Sequence, residues 1–355
     1  MNVKVIGAGS IGNHLTQAAR RMGWSVTVVD RDEAALKRMR EDIYPTRYGA
    51  WDDSIKQFVI GKEPKGNYDI IMSGTPPDVR IPLALESLKE KPKLMLLEKP
   101  LCGPEGTGLK KLVTQAKKQK TVLLVGYDHG VAESIAFVAS LLQQKTIGTV
   151  LTLDVEFREH WQGIFKAHPW LSGPRDTYLG FIKRGGGASG EHSHALHLWQ
   201  YLAAEAGLGY WRDMTAVYEM KKEGKAEYDT IAAFTFVTDK GKVGRVVQDV
   251  VTLPTRKWLR VQGDQGYIEW YCNGDPRGDV VRWKDTTGEQ HEKIFDKKRP
   301  DDFYREMLEI DRVLTGKIKP DRSPLAIESG VRVIEVLRTA YPKRGTGKTR
   351  VKKLS

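Results

Sequence analysis

The densest collection of reactive side chains in this 355-residue chain is Gly185-Gly186-Gly187-Ala188-Ser189-Gly190-Glu191-His192-Ser193-His194-Ala195-Leu196-His197. Three glycines lead into an amphipathic stretch that bears one carboxylate and three imidazoles. On a helix, positions three apart share a side and positions two apart do not. The spacing predicts Glu191, His194 and His197 on one face, with His192 turned elsewhere. A carboxylate one turn from an imidazole fixes its tautomer and keeps it useful near neutrality, which suits general acid–base chemistry. His194 is the best-placed proton carrier, with Glu191 behind it. Two other readings use the same residues. The histidines could ligate a metal, but the spacing is not His-Glu-x-x-His and no cysteine joins them, so no metal ligand is assigned. They could also be satisfied core or capping residues, and Glu191 a carboxylate stabilised at a helix N-terminus.

A second constellation opens the chain. Val3-Lys4-Val5-Ile6 breaks into Gly7-Ala8-Gly9-Ser10-Ile11-Gly12, and an amphipathic segment follows at once. That is strand, tight turn, helix. Gly7 permits the turn, Gly9 leaves room for a pyrophosphate against bare backbone, and Gly12 lets the helix pack closely on the strand. Ser10 and Ile11 begin that helix, whose N-terminal N–H groups and dipole face the phosphates. A glycine pattern alone is a weak signal, but a second apolar run, Ser25–Val29, ends in Asp30. An acid there is placed to bond the adenosine ribose hydroxyls and to repel a 2′-phosphate, which favours NAD over NADP. Arg31 beside it keeps NADP as the alternative.

The remaining candidates stand just after other apolar runs, where ligands bind in parallel sheets. Ser73-Gly74-Thr75-Pro76-Pro77 reads as a helix start or as a wall beside the cofactor, formed by Thr75 and Pro76. Glu98-Lys99-Pro100 puts a charged pair at the end of a buried strand. Lys99 could polarise a substrate hydroxyl and bond the nicotinamide ribose, or be a surface lysine paired with Glu98; position alone does not separate the two. Gly126-Tyr127-Asp128-His129 lies at the same edge, with Tyr127 and His129 as candidate substrate contacts. Between 160 and 184 a long aromatic and basic connection carries Trp161, His168-Pro169-Trp170, Arg175 and Tyr178. Such a connection suits an anionic sugar or an oligomer contact equally.

Patterning gives the scaffold that holds these residues. Apolar runs at 2–6, 25–29, 69–72, 94–97 and 121–125, with another near 45–48, alternate with helical patterns at 10–22, 32–41, 51–60, 78–89 and 105–119. This predicts a doubly wound parallel sheet over 1–126. After a helix at 131–143, strand-like runs at 149–158, 213–220, 228–238, 243–252, 257–262, 266–271 and 279–284 predict a second α/β domain over 127–341. It carries a large, mostly antiparallel open sheet and a late helix, 324–340, that packs back on the body.

Composition bounds the rest. Forty per cent hydrophobic and 29% charged residues fit a globular chain, and no apolar run is long enough to cross a membrane. The first strand begins close to Met1, which leaves no room for a signal peptide. Two distant cysteines, Cys102 and Cys272, exclude a cysteine-built zinc site and point to a reducing, cytoplasmic compartment. Half of the net charge of +12 sits in a tail, 342–355, with Lys343, Arg344, Lys348, Arg350, Lys352 and Lys353 and no acid. It reads as a solvated end, and no nucleic-acid-binding motif accompanies it.

With Gly7/Gly9/Gly12, Asp30, Thr75-Pro76-Pro77, Glu98-Lys99-Pro100 and the Gly185–Gly187 approach in this order, the chain resembles the glucose–fructose oxidoreductase/inositol dehydrogenase/MocA family over most of its length. The Thr-Pro-Pro and Glu-Lys-Pro turns carry the resemblance more than the glycine loop does. The resemblance implies a Rossmann domain, an α/β domain with a large open sheet, and hydride transfer at a ring carbon of a sugar or cyclitol, with Lys99 near the substrate hydroxyl. It departs in the helix: Glu191 stands where many members have Asp, Ser193 replaces Gly, and Ala195 takes the usual His position, one residue after His194. The Ser-His pair is similar to a branch associated with acetamido-sugar metabolism. Two alternatives remain: a retained, recycled NAD serving elimination or glycoside cleavage, and a non-catalytic dinucleotide-binding sensor. The open sheet predicts a homodimer or homotetramer built sheet to sheet.

Overall fold

The computed structural model describes residues 1–166, 171–341 and 349–352. Its contacts divide the chain into two units. One comprises Met1–Cys102, Gly106–Asp128 and Arg299–Val331; the other comprises Gly103–Glu105, His129–Lys298 and the chain from Arg332.

The first unit begins β1 (Asn2–Ile6), α1 (Ser10–Arg21), β2 (Ser25–Asp30), α2 (Glu33–Arg38), α3 (Tyr44–Tyr48) and β3 (Lys56–Val59). It continues with β4 (Ile70–Ser73), α4 (Pro77–Ser87), β5 (Leu94–Glu98), α5 (Leu109–Gln119) and β6 (Val122–Gly126). All six strands are parallel, in the order β3-β2-β1-β4-β5-β6, the doubly wound arrangement. The central strands are buried on both faces, which is why β4 and β5 read as unbroken apolar runs. Two local expectations are corrected. Residues 45–48 are helical: they lie in α3, which continues directly from helical backbone at 39–43, with Pro45 as its second residue. Residues 51–60 are not a helix but a turn and the edge strand β3, held by pairing with β2 from Thr27↔Lys56 to Asp30↔Val59. Tertiary pairing overrode local propensity there.

In the second unit α6 (Glu133–Gln143), β7 (Val150–Arg158), α7 (Gln162–Lys166), α8 (Gly187–Glu191) and α9 (His194–Glu205) precede a run of strands. These are β8 (Trp211–Glu223), β9 (Ala226–Thr238), β10 (Val243–Asp249), β11 (Arg256–Gly263), β12 (Tyr267–Asp275), β13 (Gly278–Lys284) and β14 (Gln290–Asp296). A last strand, β15 (Thr349–Lys352), lies near the end of the chain. Among the described residues the sheet has nine strands, β14-β13-β12-β11-β7-β10-β9-β8-β15, and every pairing except β7–β10 is antiparallel. The helix α9 anchors to it through Trp199, whose indole N–H donates to Leu153 O at 3.0 Å and whose ring lies 4.5 Å from Phe236. The sheet also leaves Leu151, Val217 and Val243 exposed.

Two late helices complete the fold, α10 (Arg299–Leu314) and α11 (Ile327–Ala340). Strand β14 and helix α10 lie outside the elements expected from patterning. The expected second domain, 127–341, also differs from the contact division, because 299–331 groups with the first unit. There Phe303 stacks on His14 at 4.4 Å, and Arg21 bonds Asp301 at 2.9 Å. The expected solvated tail contains β15, which adds to the edge of β8; its other residues, 342–348 and 353–355, lie outside the described ones.

Candidate functional site

The glycine turn is built as the residue pattern requires. Gly7 has φ +104°, a conformation closed to most side chains. A Cβ on Gly12 would stand 1.8 Å from Gly7 O, so only glycine lets α1 approach β1 this closely. At Gly9 a Cβ would meet nothing within 4 Å: the backbone borders open space. No side chain caps α1 and no acid stands in its first turn, so no side-chain acceptor competes there with an anion. The Asp30 carboxylate accepts from Ala8 N at 2.7 Å and from Asp32 N at 2.9 Å. Each oxygen has a second lone pair available to a ribose hydroxyl. Arg31 is exposed. The turn after β4 lies against the glycine loop, with a Gly74 Cβ position 3.0 Å from Gly12 N, and Thr75 Oγ1 lies 2.9 Å from Ser73 Oγ. These residues fit a dinucleotide.

The turns at Thr75–Pro76 and Glu98–Pro100 are held together by a residue the sequence reading missed. Arg80 on α4 is 2% exposed, and its guanidinium donates to Glu98 O at 2.6 Å and also to Pro100 O and Thr75 O. One buried fork thus ties the ends of β4 and β5, and the Lys99–Pro100 peptide is cis. Lys99 is half-buried, whereas Glu98 is buried and accepts from Lys99 N at 3.2 Å. Burial pushes the Glu98 carboxyl up to about 7; the charge of Arg80 opposes this, Asp128 adds to it, and Lys99 also opposes it.

In the second unit His194 lies against His129, ring centroids 4.9 Å apart and nearly perpendicular, beside Phe157 and Trp270. The fold therefore brings together His129 and His194, two of the sequence candidates. The one-face alignment of Glu191, His194 and His197 is corrected. The helix breaks at His192–Ser193, so Glu191 ends α8 and His194 begins α9. Ser193 N bonds back to Gly190 O, and that tightened turn resets the rotation. His197 is fully buried and stacks over Tyr201, a core role. At the other end of α8, Asp229 on β9 holds the first turn, accepting from Ser189 N at 2.7 Å and Ser189 Oγ at 3.1 Å. Burial pushes the Asp229 carboxyl up to about 7 against those bonds.

Two substrate candidates lie at a buried cluster. Trp161 belongs to a buried cluster with Leu179, Ala188, Tyr228 and Val250, and Tyr178 packs on that cluster. Trp161 is thus part of a core under the connection, and Tyr178 is half-buried against it. Tyr127 is fully buried. Arg175 is exposed, and residues 168–170 lie outside the described ones.

Besides Arg80, the sequence reading missed Arg47, whose Nη1 donates to Ser10 Oγ at 2.8 Å and so stands at the first turn of α1. It also missed Asp229 and Glu306. Arg80 lies in an otherwise apolar helix face, a signal that was legible; the other three become neighbours of the site only through long-range contacts.

Sheet order and glycine turn define the first unit as a Rossmann nucleotide-binding fold, and the chain as a two-unit α/β protein. A family model, the TrkA-N domain, matches residues 3–94. No curated protein sequence matches the chain. Among solved structures, levoglucosan dehydrogenase in complex with NADH is similar at 14% identity and TM-score 0.75, with 100% of both chains covered. An aldose-aldose oxidoreductase from Caulobacter crescentus is similar at 16% identity and TM-score 0.73, with 99% of both chains covered. UDP-N-acetylglucosamine 3-dehydrogenase from Acidithiobacillus ferrooxidans is similar at 16% identity and TM-score 0.71, covering 96% of this chain and 97% of its own. At these identities the likeness is one of fold.

Proposed function

We propose that this protein is an NAD-dependent oxidoreductase of the glucose–fructose oxidoreductase/inositol dehydrogenase/MocA type, acting on a ring hydroxyl or ketone of a sugar, nucleotide sugar or cyclitol. The observation that carries it is the uncapped Gly7–Gly12 turn, open above Gly9 and flanked by Asp30, in one sheet with Lys99 at its carboxyl edge. The solved structures of similar fold, each named as a dehydrogenase or oxidoreductase, support the same reading.

The backbone of Gly9–Gly12 would hold the pyrophosphate, with Arg47 as a nearby counter-charge, and Asp30 would take the adenosine ribose and disfavour a 2′-phosphate. A bound nicotinamide supplies the hydride acceptor or donor. Lys99 would bond the reacting hydroxyl and move its proton, held in place by the Arg80 fork. His194 is the second proton carrier, its ring orientation fixed by His129 and Phe157. The exposed Leu151, Val217 and Val243 support association through the open sheet face.

The test is the absorbance of reduced nicotinamide when the purified protein meets NAD and a panel of sugars, cyclitols and nucleotide sugars. A substrate-dependent rise is expected. In Lys99→Met it should fall by about 10²–10⁴-fold while NAD affinity stays within a few-fold. Equal turnover in that variant overturns the role of Lys99. No rise, with cofactor released on denaturation, would favour the recycled-NAD reading instead.

A further inference from the structure

Buried charge in the first unit is paired almost everywhere. Lys4, at 2% exposed in the middle of β1, bonds Glu63 at 3.2 Å and also Glu90. Arg80 spends its donors on three carbonyl oxygens. Glu306 on α10 breaks this rule: it is fully buried, and neither carboxyl oxygen has a hydrogen-bond partner among the described residues. A bare carboxylate in such a place is costly, whereas a protonated one is tolerable.

Its neighbour is the carboxyl of Glu98. Both converge on Gly126 at the end of β6, where a Cβ would lie 2.6 Å from Glu98 Oε1 and 3.3 Å from Glu306 Oε1. We propose that Glu306 is a positioning residue for Lys99, sharing a buried proton with Glu98 so that the pair carries at most one negative charge.

The groups facing the pair come from four segments: Arg80 from α4, Lys99 after β5, Asp128 after β6, and Asp302 from α10. Burial first, and then Glu98, Asp128 and Asp302, hold the Glu306 carboxyl well above the usual range. With both carboxyls ionised, the Glu98 carboxylate beside Lys99 would have a second anion next to it. With one proton retained, the pair carries a single charge, opposed by Arg80 and Lys99, and the charge that Lys99 meets is held at one. Gly126 has no side chain to separate the two carboxyls, and α10 brings Glu306 to them from far along the chain. The inference rests on the role given to Lys99, but two of its three tests need no substrate.

The experiment compares wild type with Glu306→Gln, an isostere of the protonated side chain. Infrared difference spectra at about pH 8 should show a protonated carboxylic-acid band in wild type that is lost in Glu306→Gln and kept in Glu98→Gln. Unfolding followed from about pH 6 to 9 should release one proton fewer per molecule in Glu306→Gln than in wild type. The alkaline limb of kcat/KM should lose one ionisation in the same variant. Should Glu306→Gln fail to fold, loss of the band in Glu98→Gln overturns the proposal by itself, because the proton would then belong to Glu98. Retention of the band in Glu306→Gln, or unchanged pH dependence of unfolding, overturns the proposal. Loss of the band and of the proton with an unmoved kcat/KM profile also overturns it as a positioning role and counts against the reading of Lys99. An altered profile without loss of the band would leave Lys99 standing and remove Glu306.

Discussion

Two glycine-rich turns lead into helices in this molecule, and they end in opposite states. At Gly7–Gly12 the helix α1 starts without a side-chain cap, and the backbone at Gly9 borders open space. At Gly185–Gly187 the start of α8 is filled from within: Asp229 reaches across from β9 and takes Ser189 N and Oγ, and a Cβ on Gly187 would stand 2.0 Å from Asp229 Oδ1. The same sequence signal thus gives a place for an external anion in one unit and an internal anion in the other. What separates them is where the nearest carboxylate is directed. Asp30 spends itself on Ala8 and Asp32, outside the first turn of α1, while Asp229 is aimed into α8.

Substitutions can break this contrast. The largest effect is expected at Gly187→Ala, where φ is +75° and the methyl meets a fully buried carboxylate. Stability should fall by about 3 kcal/mol, read as a lower denaturant midpoint; a loss under about 1 kcal/mol would mean that α8 shifts freely. Gly9→Ala should do the reverse, leaving stability within about 0.5 kcal/mol but weakening NAD about a hundredfold by calorimetry. Unchanged affinity there would remove the pyrophosphate from this turn. The smallest effect is in the pH dependence. Burial raises the Asp229 carboxyl from 3.8 to about 7, so the folded state binds the extra proton and stability falls as pH rises through that window. The slope is at most about 1.4 kcal/mol per pH unit for one group. Asp229→Asn should flatten it by one proton, and an unchanged slope would show that Asp229 stays ionised throughout.

The interrupted histidine stretch carries the same lesson at shorter range. Periodicity placed Glu191 and His194 on one helix face, because an uninterrupted helix was the simplest local structure for those residues. Asp229 anchors the first turn of α8, and the turn at His192–Ser193 separates α8 from α9. Trp161 and Tyr178 likewise read as loop aromatics for a ligand or an oligomer contact, whereas Trp161 joins Tyr228 and Val250 in a core and Tyr178 packs on it.

Legible in the linear order were the alternating strands and helices of the first unit, the strand-rich second unit, the glycine turn with Asp30, and the placement of Lys99 at a sheet edge. Each depends on a local rule: side-chain periodicity, glycine stereochemistry, or the residue that comes after an apolar run. The edge strand β3, the Arg80 fork, the Asp229 cap and the Glu98–Glu306 pair were not legible. They come from contacts between segments separated along the chain, and whether a carboxyl there is charged depends on desolvation and remote neighbours that no local pattern encodes.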